Sequence, residues 1–422
     1  MKKKFFFFII IVLFLASPLY AINKNKPQTL NDLIDFSWQN NPEIIELTAR
    51  IEAASSRISQ EQSLSDPMFT VGYQNEGFQR FTYGQLIGSQ LMFSVAQKFP
   101  FPGVLEAQGQ IANHEKRIIE ISLRDLKLKL ATKITNQYFD LFLASKTLDL
   151  VKENEILFNQ IEKAALNRYS VGTSSQQDVL LAQLEKYGLE EQKIMLQQQK
   201  EVSLALLQAT LGVTENIALD FSSVKDTSSY PSETSIDLNL APSLQIINRM
   251  QAVQKSRVDL AYKSFIPDYT VMAGVFPRGG LDPMWNLSLS FPLPFFYGQK
   301  QGPAIQEAKS NLQALEKSYQ AKELMIRAEA EEKLKMIAAA DKLMALYKNG
   351  FVPKLQQTVA LLISNYVEGK VDIITVLNNQ KKLLDYEKSY WEQFVLKKKN
   401  IAVLKELLGR CSKASGGDLT FN

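Results

Sequence analysis

Chemistry-bearing residues are scarce in this chain. Of 422 residues, one is a cysteine, Cys411, and one a histidine, His114. A lone cysteine forms no internal disulfide, and a lone histidine assembles no histidine-based metal centre. With no convergent acid/base group or glycine-rich phosphate loop beside them, an exported enzyme is not the expectation, and neither a cofactor nor a metal is assigned. Cys411 reads as a bystander near the chain end and His114 as a helix-surface residue. Net charge is small as well: 48 Lys and Arg against 44 Asp and Glu give +4, which argues against nucleic acid as a partner. Beyond residue 21 no stretch is long and apolar enough for a membrane helix. Any membrane contact must therefore use strands or an amphipathic surface.

The one long apolar run lies at the start. Lys2, Lys3 and Lys4 precede twelve apolar residues, 5–16, fewer than the roughly 20 needed to span a bilayer. The pattern predicts a secretory signal over residues 1–21, cleaved after Ala21. Without its three lysines the formal charge falls from +4 to +1. No cysteine near the cleavage site offers an attachment point for a lipid.

Periodicity then divides the chain. Residues 29–40 and 42–63 read as helices separated by Asn40-Asn41-Pro42 and stopped by Asp66-Pro67. Residues 68–74 and 89–96 alternate like strands, with Phe69, Val71 and Tyr73 on one face of the first and Leu91, Phe93 and Val95 on one face of the second. From 104 to 169 there is no proline, and Leu123, Leu130, Ala144, Val151, Phe158 and Ala165 fall on a seven-residue grid broken by Gln137. Ile134, Leu141 and Leu148 form a second grid, as in a coiled-coil seam. At 1.5 Å per residue this helix reaches roughly 100 Å, too long for a globule. Gly172 breaks it, and a returning helix ends at Gly212.

The same order then repeats. After a polar segment come a helix over 242–265, a Pro267-Asp268 stop, and two strands carrying Tyr269 and Val271, then Trp285, Leu287 and Leu289. A long helix over 299–368 follows, then Gly369 and a return helix ending at Gly409. RYSVGTSSQQDVLLAQ (168–183) and NYVEGKVDIITVLNNQ (365–380) share Tyr169/Tyr366, Gly172/Gly369, Val179/Val376, Leu180/Leu377 and Gln183/Gln380 at a constant offset of 197. Chance would give about one such identity. The expected organisation is a signal (1–21), a first repeat (22–212), a linker (213–241), a second repeat (242–410) and a tail (411–422).

Four strands with one apolar face pose a problem of closure. If that face meets lipid, every backbone donor and acceptor must pair, so the sheet must close on itself. Four strands are too few, since membrane barrels begin at about eight. Several copies must then share one barrel, with Phe69, Val71, Tyr73, Leu91, Phe93, Val95, Tyr269, Val271, Trp285, Leu287 and Leu289 facing lipid.

The stretch TLNDLIDFSWQNNPEI (29–44), the two Tyr-x-x-Gly turns and the duplication resemble the TolC-like outer-membrane efflux protein family from residue 29 to 409. DPMFTVGYQNEG (66–77) and QKFPFPG (97–103) look more like its heavy-metal efflux branch. The resemblance implies a mainly α fold with β, a homotrimer whose twelve-stranded barrel lies in outer-membrane lipid, and a helical barrel crossing the periplasm. It implies a passive exit duct, served by an inner-membrane pump of the RND type and a periplasmic adaptor, the membrane fusion protein. The glycine turns then form the periplasmic tip, with Tyr169, Val171, Gly172, Thr173, Tyr366, Glu368, Gly369 and Lys370 receiving the adaptor. In the family's pattern an aspartate, a tyrosine and an arginine latch the pore. The matching positions here are Asp178, Tyr366 and Val371, so the arginine is missing, and the family's aspartate ring falls on Thr375 and Asn378. Asp372 or Glu368 would supply carboxylates at the mouth instead. The competing readings are a periplasmic adaptor, which usually has one hairpin and carries lipoyl-like domains, and a structural coiled-coil protein, which requires no duplication.

Overall fold

A computed structural model describes residues 28–213, 217–222, 224–225, 236–412 and 418–419. The expected signal and the middle of the linker lie outside these residues. Helix α1 (Leu30–Asn40) opens on a capping box in which Asp32 accepts from Thr29 N–H (2.9 Å) and Thr29 Oγ1 (2.7 Å). Asn41 then caps α2 (Pro42–Gln62), its Oδ1 accepting from Glu43 N–H at 2.8 Å, with Pro42 at the first helical position. The Asn-Asn-Pro sequence thus ends one helix and begins the next.

Strands β1 (Met68–Gln74) and β2 (Gln90–Phe99) form a hairpin, as do β3 (Tyr269–Arg278) and β4 (Leu281–Ser290). All four join in one antiparallel sheet in the order β1-β2-β3-β4, so β2–β3 pairing stitches the repeats together. β2 runs three residues past the expected end at 96, and β4 starts four residues before the expected Trp285. Ser89, expected in β2, is instead fully buried beside it, its Oγ 2.5 Å from Thr82 Oγ1.

Helix α3 (Val104–Ser170) is unbroken for 67 residues, and α4 (Gln176–Leu211) returns along it. The predicted seam is buried from Leu130 through Ile134, Leu141, Ala144, Leu148, Val151 and Phe158 to Ala165. Gln137, the break in the grid, bonds across to α4 through Leu206 O and Thr210 Oγ1 (2.9 Å). The second repeat supplies α5 (Pro242–Lys263), α6 (Gln301–Leu346), α7 (Val352–Val367) and α8 (Ile373–Leu407). Between α6 and α7 stands one π turn, Tyr347–Phe351, where the expected helix over 299–368 was continuous. Pro353 has no N–H to donate to the preceding turn. The wider turn absorbs the mismatch, and Val352 N–H reaches Tyr347 O.

The core is divided into three clusters along these helices. One joins α1, α3, α4, α8 and linker residues Ile217, Phe221 and Val224 around Tyr138, Phe139 and Phe142. Another joins linker residues Leu238 and Ala241 to α5, α6 and α8. The last lies at the turns, around Phe158, Ile161, Tyr366 and Ile373.

Candidate pore mouth and membrane face

The two turns share one backbone design. Gly172 and Gly369 have φ of 76° and 81°, the left-handed region open to glycine. Thr173 N–H donates to Arg168 O (2.9 Å) and Gly172 N–H to Tyr169 O (3.0 Å). Lys370 N–H and Gly369 N–H repeat this with Asn365 O (2.8 Å) and Tyr366 O (3.0 Å). These are Schellman closures, which satisfy the last carbonyls of a helix. Val171, Gly172, Thr173, Glu368, Gly369 and Lys370 are all exposed, and Lys370 pairs with Glu368.

Side chains break the symmetry. Tyr169 is 46% exposed, whereas its counterpart Tyr366 is 1% exposed. Tyr366 OH donates to Asp178 Oδ2 at 3.1 Å, and the same carboxylate accepts from Ser174 Oγ (2.5 Å) and Ser175 Oγ (3.2 Å). Burial is the chief cause that raises the Tyr366 pKa, so the phenol remains a donor at neutral pH. The position equivalent to Asp178 is Thr375, which donates to Asp372 and not to a tyrosine. Asn378 stands exposed on α8. The structure thus unites Asp178 with Tyr366 and separately Asp372 with Thr375, and leaves Asn378 out of both groups.

An arginine does reach the Asp178–Tyr366 pair, from a place the sequence did not suggest. Val371 is apolar, but Arg168 lies with its guanidinium 4.6 Å from the Tyr366 ring centroid. Its Nη1 donates to Tyr366 O at 2.6 Å and Nη2 to Thr173 O at 2.9 Å. Arg168 therefore ties the first turn to the second. In the repeat it aligns with Asn365, so the repeat identities do not mark it. Its adjacency to the repeat tyrosine was the available signal. Deeper in the hairpins, Gln380 Nε2 donates to Asn154 Oδ1 at 2.5 Å, a buried polar pair joining α8 to α3.

At the other end of the long helices, the register places every expected lipid-facing residue on one face. Phe69, Val71 and Tyr73 lie opposite Val95, Phe93 and Leu91. Phe93 and Gln97 lie opposite Val275 and Val271, and Phe99 opposite Tyr269. Val271 and Val275 then face Leu289 and Trp285, with Ala273 beside Leu287. Phe69, Val71, Val95, Tyr269, Val275, Trp285, Leu287 and Leu289 are exposed, Trp285 at 77%. The opposite face carries Thr70, Gly72, Ser94, Thr270, Gly274, Asn286 and Ser288. Among the described residues, the outer edges of β1 and β4 pair with no strand. No helix among them is long and apolar enough to cross a membrane, and no His, Cys, Asp or Glu cluster there suits a metal ion.

Residues 33–213 match the family model described as outer membrane efflux protein. No curated protein matches the chain. Solved structures match over 90% of it. The outer membrane protein VceC of Vibrio cholerae has a TM-score of 0.76 at 18% identity, with 96% of its chain covered. CusC, solved in states accompanying folding and transmembrane channel formation, has 0.75 at 16% identity and 91% coverage. The open-state MtrE outer membrane channel of Neisseria gonorrhoeae has 0.75 at 14% identity and 88% coverage.

Proposed function

We propose, from the match of residues 33–213 to the family model described as outer membrane efflux protein and from the fold, that this chain is a trimeric outer-membrane exit duct. Substrate is handed over by an inner-membrane pump through a periplasmic adaptor, and the duct conducts it passively. One observation carries the reading: an open four-stranded sheet, apolar and exposed on one face, continues directly into helices of about 100 Å. Three copies supply twelve strands, and pairing β4 of one with β1 of the next removes every edge. The ten-residue length of β2, β3 and β4 suits a tilted membrane strand of about 9–11 residues.

The helical hairpins project from that barrel, so their turns are the part of the duct that lies farthest from the membrane. The exposed residues Val171, Gly172, Thr173, Glu368, Gly369 and Lys370 are the natural seat for the adaptor, and Tyr169 flanks them. Asp178, Tyr366 and Arg168 form the latch, with Asp372 adding a carboxylate near the mouth. The two stretches resembling the heavy-metal branch favour a pump of the RND type and metal cargo. The fold itself is equally close to VceC, CusC and MtrE.

The test is direct. The purified protein requires detergent, has the mass of three chains plus bound detergent, and conducts ions in a planar bilayer. A detergent-free soluble monomer would overturn the reading. So would a protein that lacks conductance even after the latch is removed.

A further inference from the structure

A cavity of about 950 Å³ opens between α3 and α5, where the inter-repeat segment enters α5. Four cationic side chains line it, Arg117, Arg124, Lys127 and Arg249, against one carboxylate, Glu120. That carboxylate is already engaged by Arg117 Nη1 at 2.7 Å and by Lys116 Nζ at 3.6 Å. The other three cations have no anionic partner among the described residues. Arg124 donates to the carbonyl oxygens of Leu240 (2.5 Å) and Gly409 (3.3 Å). Lys127 lies over the Trp38 ring at 5.9 Å from its centroid, and Arg249 is exposed.

Two donors or acceptors are also left over. Arg124 Nε is buried without a hydrogen-bond partner, and so is Nδ1 of His114, which lines the same cavity. Burial lowers the pKa of Arg124, and burial followed by the charge of Arg249 lowers that of His114, leaving the imidazole neutral at pH 7. A cleft that gathers three cationic side chains with no opposing carboxylate among the described residues favours the entry of an anion.

We propose that this cavity binds a soluble oxyanion of the phosphate class, held by the charges of Arg124, Lys127 and Arg249 with His114 beside it. Guanidinium forks match a tetrahedral oxyanion in shape as well as charge. A membrane headgroup is the poorer fit. His114 lies ten residues into α3, about 15 Å past the point where the sheet gives way to helix, and Arg124 about 30 Å past it. Headgroups extend only about 5–8 Å beyond each side of the hydrocarbon layer.

The only histidine in the chain makes the test clean. The protein, freed of any histidine tag, is treated with diethylpyrocarbonate in detergent at pH 7, and acylation of the His114 peptide is followed by mass spectrometry. Inorganic phosphate is expected to slow the reaction saturably, and chloride at equal ionic strength is not. In Arg249→Ala, half-protection should need about tenfold more phosphate. Arg249 is exposed, so this variant keeps its fold, and its oligomeric mass verifies that. Acylation indifferent to phosphate, or equal protection in both proteins, overturns the proposal. Protection in phosphatidylglycerol nanodiscs without phosphate assigns the site to a lipid headgroup and overturns the soluble ligand. None of these outcomes bears on whether the chain conducts.

Discussion

Gly212 and Gly409 close equivalent helices 197 residues apart, yet a methyl group would meet different surroundings at each. Both have positive φ, 70° and 67°. Alanine at either position costs about 1–2 kcal/mol for the left-handed backbone. Nothing lies within 4 Å of a Cβ at Gly212, whereas one at Gly409 would stand 1.9 Å from Leu240 O. Gly409→Ala is therefore expected to lower the denaturation midpoint well beyond Gly212→Ala, and equal effects would contradict the close approach. The proposed latch gives a second residue-scale prediction. Asp178→Ala leaves Tyr366 OH without its acceptor, and Arg168→Ala cuts the bonds from the first turn to Thr173 O and Tyr366 O. Each variant should raise resting conductance in a planar bilayer several-fold, while Asn378→Ala, outside both hydrogen-bonded groups, should not. Asp178 and Tyr366 were legible through the resemblance to the family's pattern, which pairs an aspartate of one repeat with a tyrosine of the other. Arg168 was not, because that pattern puts its arginine at the position of Val371.

Helices were the most legible elements, since a buried seam must recur with the helical period whatever surrounds it. Strand ends were less so: Gln97 near the end of β2 and Asp282-Pro283 at the start of β4 interrupt the alternation that marks a strand. The π turn escaped for another reason. Pro353 signals trouble in a helix, but whether the chain breaks or widens depends on packing, here the stacking of Phe351 on Tyr386 at 4.6 Å. Helix α8 also carries a charged group whose behaviour depends on packing. Burial is the leading cause that raises the pKa of Glu406, with Asp125 and Glu329 adding to it. Its folded pKa exceeds the unfolded value, so the folded chain holds this proton to higher pH. That contribution is complete below about pH 4.5 and is lost as pH rises through the folded pKa. Glu406→Gln should therefore melt above the parent at pH 7 and close to it at pH 4. A parent-like melt at both pH values would contradict the assigned shift.

For the whole molecule, the proposed sharing of one barrel among several copies was legible from four apolar-faced strands, because a sheet facing lipid must leave no edge unpaired. The order of strands was not legible, and it has a consequence. β2 meets β3 across the repeat boundary within one chain, and the proposed β4–β1 joint between chains links second repeat to first in the same sense. The ring is then six half-chains, with covalent connection at every other joint. Each side of the connecting segment is separately anchored, Ile217–Val224 in one core and Leu238–Ala241 in another. The two halves, produced as separate polypeptides divided within residues 226–235, should therefore still assemble into the proposed duct and conduct. The two fragments should stay together until denaturant separates them.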